Sequence, residues 1–176
     1  MFHLIQNWVL GAGAWGALGF FVGAFIEEVA FPLPSPLLLI GVAFFFGKPI
    51  TLAAIGKMLG TVILPISLGA TLGSLVIFGI AYSGGRVAIT KFSKYLGFTW
   101  DDVEKVREKL AKRTSDDWTV FISRCIPYSP TTIVTVLAGI VRMDAVRFTL
   151  LTFAGIFIRV AGLFFGAFLF GHSIFK

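Results

Sequence analysis

The chain has 176 residues, of which 57% are hydrophobic and 20 are phenylalanine, with a formal net charge of +6. This apolar fraction is far above that of a soluble domain and predicts an integral membrane protein, with one membrane domain over residues 1–176. The positive charge does not indicate nucleic acid binding, because eight Lys or Arg are mixed with six Asp or Glu between Arg86 and Trp118. Such a mixture is typical of a solvated amphipathic face.

The first predicted element is a membrane helix from about Leu4 to Ala30 that is rich in glycine and alanine. Small residues let membrane helices approach closely, so we expect this helix to pack inside a bundle. Three prolines follow it, and proline removes a backbone donor and favours extended geometry in the preceding residue. The next apolar run is about half a bilayer span, which predicts a re-entrant hairpin over about 31–48.

A second apolar stretch, predicted to be a membrane helix, follows Lys57 and extends to about Tyr82, with a kink expected at Pro65. It stops at the sequence Ser83 to Arg86. The charged segment over about 86–118 follows, and the positive-inside tendency places it in the cytoplasm. Within this segment apolar residues recur at helical spacing among charges from Asp101 to Arg113. This pattern predicts an amphipathic helix on the membrane surface.

A second proline-broken segment covers about 119–142 and carries Arg124. Its two ends are polar, which predicts a second hairpin that enters from the cytoplasmic side. A final membrane helix runs from about Phe148 to Phe170, with Arg159 near its middle. The predicted fold is therefore an all-α integral membrane protein. It has about three transmembrane helices, two opposed re-entrant hairpins in an inverted-repeat-like order, and a cytoplasmic amphipathic helix.

The two broken segments carry ionisable residues of opposite sign. Non-helical backbone at membrane depth survives only where it is buried in protein or lines a wet cavity, so the segments indicate a binding site or pathway. An ionised side chain in the bilayer core costs about 3 kcal/mol or more. We therefore predict that Glu27 and Arg124 pair across the hairpin interface, with Glu28 as a second intramembrane acid. A position in the headgroup layer is the alternative for each of these three residues.

Arginine presents a planar fork of donors that matches phosphate oxygens. Arg124 and Arg159, together with the hydroxyl groups of Ser129 and Thr131, are predicted to form a phosphate headgroup site. The alternative for Arg159 is a structural pair with one of the two acids. The prolines expected to shape the hairpins, unless they only kink ordinary helices, are Pro32, Pro34, Pro36, Pro127 and Pro130. We expect no metal and no cofactor, because His3, His172 and Cys125 form no recognisable ligand motif.

Four blocks of the sequence together resemble the DedA family, also called the VTT or SNARE-associated domain family. They are Glu27–Pro36, Gly69–Arg86, Phe121–Pro127 and Ala138–Phe148. The resemblance implies an all-helical protein of a prokaryotic plasma membrane, with two opposed re-entrant hairpins, that acts in the translocation of polyprenyl phosphate or phospholipid. By motif position, Glu27 matches the family's first hairpin acid and Arg124 matches its hairpin arginine.

The sequence departs from the commoner family pattern at three positions. Pro36 and Ser74 stand where many members have an acid, and Pro130 stands where many have a second arginine. These departures argue against proton coupling through a carboxylate pair, although Glu28 or Arg159 could compensate.

The leading interpretation is a lipid translocase of the flippase or scramblase type. An enzyme is not expected, because the sequence contains no Ser/His, paired-Asp or metal-ligand constellation. Two other classes stay open: a proton- or ion-coupled carrier of a small solute, and a non-transporting membrane organiser that binds partners through its amphipathic helix. The expected partner is a membrane lipid, no nucleic acid is expected, and a homo-oligomer is left open.

Overall fold

The computed structural model describes residues 14–30, 52–96, 99–101, 104–105, 116–126 and 131–174, and every regular element among them is helical. In chain order these elements are α1 (Ala14–Ala30), α2 (Leu52–Met58), a π-helical turn (Leu59–Ile63), α3 (Leu64–Leu96), α4 (Asp116–Cys125), α5 (Thr131–Ile140) and α6 (Ala145–Ile174). The first predicted hairpin lies outside the described residues, as do Ser129 and all five prolines predicted to shape the hairpins.

Two helical stretches, Ile55–Gly84 and Ala145–Gly166, are long and apolar enough to cross a membrane. The helix α1 has 17 described residues, which is close to the roughly 20 that a span requires. The structure thus confirms the all-helical fold and provides two candidate spans where the sequence predicts them. The number of crossings, the opposed hairpins and the cytoplasmic position of 86–118 stay predictions.

The helix α3 continues without a break from Leu64 to Leu96, beyond the predicted end of the apolar stretch between Ser83 and Arg86. The apolar run does end at Gly84. A change from apolar to polar side chains leaves the backbone hydrogen bonds intact, and each glycine costs a helix only about 1 kcal/mol. The helix therefore extends beyond its apolar part.

Pro65, where a kink is predicted, directly follows the π-helical turn and Leu64. At this turn the N–H of Leu64 donates to the carbonyl of Leu59, five residues earlier. Proline has no N–H for the carbonyl four residues before it, and its ring crowds that carbonyl. The wider π-helical turn accommodates this disruption while the chain stays helical.

The second predicted hairpin region contains two short helices, α4 and α5, of 10 residues each. At 1.5 Å per residue each is about 15 Å long, or half of the roughly 30 Å hydrocarbon core. The two helices pack against each other. Their lengths and packing suit a helical hairpin, and its position in a bilayer stays a prediction.

A tight turn joins α5 to α6. Arg142 adopts a left-handed conformation with φ of 54°, and the N–H of Met143 donates to the carbonyl of Ala138 at 3.0 Å. Asp144 then caps α6, because its carboxylate accepts from the N–H of Arg147 at 2.9 Å. The turn fixes the position of α6 relative to α5.

The core forms where α3 and α6 pack against each other and against the remaining helices. Ile63 and Ala70 lie among Ile156, Val160 and Phe164 of α6 in one buried cluster. Further along α3, the ring of Phe78 stacks on Phe148 with centroids 4.5 Å apart. These contacts hold α6 against α3, where both helices face the charged residues described below.

A glycine sets the distance between α3 and α5. A Cβ atom added at Gly139 would lie 2.7 Å from both Ala81 Cβ and the Phe78 carbonyl oxygen. Gly139→Ala is therefore expected to force the helices apart and to lower the free energy of unfolding by about 1–3 kcal/mol, measured by thermal unfolding in detergent. The matched control is Gly162→Ala, because nothing lies within 4 Å of a Cβ added there. An equal loss for both variants would contradict the close contact.

Candidate functional site

A buried ion pair between α1 and α4 forms the centre of the candidate site. Arg124 Nη1 donates to Glu28 Oε1 at 2.8 Å, and the side chains are 0% and 13% exposed, respectively. Removing two charges from water costs several kcal/mol per ion, so a buried pair requires good geometry and further hydrogen bonds. Both requirements are met here, because other helices supply hydrogen-bonding groups to each partner.

Two hydroxyl groups complete the network around the pair. Ser74 of α3 donates its Oγ–H to the same Glu28 oxygen at 2.7 Å. Arg124 Nη2 donates to Thr135 Oγ1 of α5, and the Thr135 hydroxyl donates to the carbonyl of Thr131 at 2.9 Å. The network therefore connects α1, α3, α4 and α5 through side chains that are mostly buried.

Glycines of neighbouring helices pack directly on both charged residues. A Cβ atom added at Gly73 of α3 would lie 2.8 Å from Glu28 Cβ, and one added at Gly155 of α6 would lie 2.5 Å from Arg124 Cβ. Any side chain at these positions would displace the charged residue or the helix that carries it. The two glycines thus position the ion pair between helix backbones.

Arg159 of α6 belongs to the same charged cluster. It lies one turn after Gly155, on the face of α6 that contacts α4, and its side chain is half-buried. Its charge interacts through space with Arg124, Glu28 and Glu27. Among the residues that the structure describes, its guanidinium has no hydrogen bond and no ion pair. The two acids and two arginines carry formal charges that sum to zero.

The structure brings together the four charged residues that the sequence singles out, but the predicted pairing is wrong. Arg124 forms its ion pair with Glu28, whereas the sequence favours Glu27. Successive residues of a helix point about 100° apart, and it is Glu28 that faces Gly73 and Ser74. Glu27 is half-buried in the same cluster.

Of the two predicted hydroxyl donors, Ser129 and Thr131, only Thr131 belongs to the described residues. Thr131, at the start of α5, contributes its carbonyl to the network. Sequence reasoning missed three hydroxyl groups, those of Ser74, Thr135 and Thr152, which are all fully buried. For Thr135 the spacing of four residues from Thr131 was an available signal. For Thr152 the signal was its position seven residues before Arg159, on one side of an apolar helix.

Comparison with known proteins gives one family. The family model described as the VTT domain matches residues 33–168. No curated protein and no solved structure gives a significant match. The matched range includes Arg124 and Arg159, together with Ser74, Thr135 and Thr152, while both acids precede it in α1.

Removal of one partner from the buried pair leaves the other charge without compensation. We expect Glu28→Ala and Arg124→Ala each to lower the free energy of unfolding by about 3–5 kcal/mol, and the double variant to lose clearly less than the sum. Chemical unfolding of the four proteins in detergent measures this coupling. Arg147→Ala is the control, because Arg147 is exposed and about 0.5 kcal/mol or less is expected there. Strictly additive losses would show that the two residues do not interact.

Proposed function

The chain belongs to the VTT domain family, the DedA/SNARE-associated family of membrane proteins, and from this premise we propose that it is a lipid translocase of the flippase or scramblase type. Its substrates are phosphate-headgroup lipids, such as polyprenyl phosphate or phospholipid. The observation that carries the proposal is the cluster of two acids and two arginines within a bundle of apolar helices.

Stability alone does not explain this cluster. Each ionised side chain costs about 3 kcal/mol or more in the bilayer core, and a buried ion pair is often no more stable than well-packed apolar residues of similar volume. Intramembrane charges of this kind generally mark a path for a polar or charged substrate. A lipid headgroup is such a substrate, and its tails can stay in the surrounding lipid.

Arg159 is the residue best suited to bind the phosphate. Its guanidinium is half-buried and has no direct partner among the described residues, and its planar fork matches phosphate oxygens. Arg124 adds a second positive charge, while Glu28 keeps that arginine oriented. The two carboxylates repel the bound anion. This repulsion keeps the affinity low enough for release, as a pathway for transport requires.

An apolar surface on α3 suits the lipid tail. Large apolar side chains recur every four residues along one exposed face of this helix, and they are Leu64, Leu68, Leu72, Val76 and Ile80. Residues four apart lie on one side of a helix, so these side chains form a continuous stripe. Ser74 and Gly73, which contact Glu28, lie on the buried side of the same helix. The tail would therefore follow the exposed side of α3, while the ion pair packs on its buried side.

A proton- or ion-coupled carrier of a small anionic solute is the second candidate. The cluster is formally neutral, so an anion that binds there adds an uncompensated charge unless a proton or cation enters with it. This reading predicts that solute uptake responds to an imposed pH gradient and is lost in Glu27→Gln.

The direct test is transbilayer movement in vesicles reconstituted with the full chain. Labelled phospholipid and labelled polyprenyl phosphate are supplied separately, and a membrane-impermeant reagent reports the labelled headgroups that remain outside. We expect movement of at least one lipid well above that in protein-free vesicles. The absence of movement for both lipids would overturn the proposal.

Substitutions of Arg159 test its role in this movement. A hydrogen bond to a charged group contributes about 1.5–3 kcal/mol, so Arg159→Ala is expected to slow lipid movement by about tenfold or more. Arg159→Lys keeps the charge but lacks the fork, so an intermediate rate is expected. Arg147→Ala, on the exposed start of the same helix, serves as the control and should move lipid at the wild-type rate. A wild-type rate in Arg159→Ala would show that this residue does not bind the headgroup.

A further inference from the structure

Two fully buried polar atoms, one on the arginine of the ion pair and one on α6, have no hydrogen-bond partner within the described part of the chain. They are Arg124 Nε and Thr152 Oγ1, and both side chains are 0% exposed. Buried polar groups are nearly always hydrogen-bonded, because leaving one unpaired costs its full desolvation penalty. One of these groups belongs to the charged cluster, the other lies three residues before Gly155 on α6, and each requires a physical reason.

Thr152 also departs from a pattern shared by many described hydroxyl residues of the long helices. Five of them donate the hydroxyl to the carbonyl four residues earlier, and they are Thr61, Ser67, Thr71, Ser83 and Thr149, whereas Ser74 donates to Glu28 instead. This local bond is the usual way to satisfy a hydroxyl in an apolar helix. The Thr152 hydroxyl does not form it, and so the group is free to bind something other than its own backbone.

The unpaired atoms belong to the crossing of α4 and α6. Thr152, Gly155 and Arg159 follow each other at spacings of three and four residues, so they share one face of α6. That face contacts α4, because Gly155 packs on Arg124 Cβ and on the carbonyl of Phe121. The crossing thus contains an arginine N–H, a hydroxyl, and the guanidinium of Arg159, which has no direct partner among the described residues.

We propose that Thr152 is a binding residue, and that a phosphate group binds at the α4–α6 crossing through Arg124 Nε–H, the Thr152 hydroxyl and Arg159. This inference rests on the proposed function and locates the headgroup within it. A phosphate group offers several acceptor oxygens, and all three groups can donate to it. In this arrangement Arg124 Nη1 still donates to Glu28 and Nη2 still donates to Thr135. The ion pair therefore stays intact while the Nε–H donates to the phosphate.

Because Arg124 and Thr152 are fully buried, the phosphate reaches them only when α4 and α6 separate. The contact that has to open is the one between Gly155 and Arg124, which involves no side chain of α6. A glycine at this point lets the helices close fully in the absence of ligand. The crossing of α4 and α6 is therefore both the entrance to the phosphate site and part of its lining.

The decisive variant is Thr152→Val, which keeps the shape of the side chain and removes the hydroxyl. Without lipid we expect a melting temperature equal to or above that of the wild type, because an unpaired buried hydroxyl is lost. Affinity for a short-chain polyprenyl phosphate is expected to fall about tenfold or more, since one hydrogen bond to a charged group is lost. Thr152→Ser keeps the hydroxyl and should bind within about threefold of the wild type.

The control is Thr149→Val on the same helix, where the hydroxyl already donates to the carbonyl of Ala145. It should leave affinity unchanged. Each protein is measured in detergent against the polyprenyl phosphate and, separately, against inorganic phosphate. A loss of affinity in Thr152→Val for the lipid alone, or for both ligands, supports the site. A loss for both ligands also shows that the phosphate group is recognised without the lipid tail.

Two results would overturn the inference. Wild-type affinity in Thr152→Val for both ligands would place the phosphate elsewhere, and a lowered melting temperature would assign the hydroxyl a structural partner.

Both measurements are independent of transport. If the wild type binds through Thr152 but moves no lipid in vesicles, the proposed function fails while the binding site stands. If lipid moves equally fast in the wild type and Thr152→Val, the function stands without this residue.

Discussion

An arginine and a glutamate buried between helices determine the geometry of everything around them in this bundle. Arg124 and Glu28 are 96 residues apart in the chain and 2.8 Å apart in the fold. In a low-dielectric interior neither charge is tolerated alone, so the helices that carry them have to meet. Ser74 and Thr135 then satisfy further hydrogen-bonding capacity on each partner. One polar interaction thereby specifies how α1, α3, α4 and α5 are arranged, which nonspecific apolar contacts within a membrane do not do.

Glycine makes this arrangement possible. Membrane helices associate through close packing, and small residues allow the backbones to approach. In this fold Gly73 and Gly155 lie directly against the two members of the ion pair. The short helices α4 and α5 bring Arg124 into the bundle from a segment too short to span a bilayer. Small residues and a broken helix therefore act together to place a charge deep within an apolar fold.

The functional proposals follow from how the hydrogen-bonding capacity of the cluster is distributed. Glu28 and two nitrogens of Arg124 are engaged within the fold, whereas Arg124 Nε, Thr152 and Arg159 have no direct partner among the described residues. The engaged groups hold the helices together, and the remaining groups are donors on the opposite side, between α4 and α6. This set of donors favours an anionic ligand, and the chain belongs to the VTT domain family. A phosphate headgroup fits these requirements.

The sequence by itself determined the helical fold with apolar runs long enough to span a membrane, the four charged residues of the cluster and the family. Apolar runs of sufficient length and isolated ionisable residues within them are local features, so composition and spacing reveal them. The sequence predicted where the apolar part of α3 ends but not that the helix continues to Leu96, because side-chain polarity does not report whether backbone hydrogen bonding continues. Only the tertiary structure decided that Glu28 rather than Glu27 pairs with Arg124 and that the Thr152 hydroxyl is unpaired among the described residues. Both outcomes depend on how far each helix is rotated about its axis and how closely the helices pack. Contacts between residues that are distant in the sequence, such as those of Gly73 and Gly155, fix both quantities.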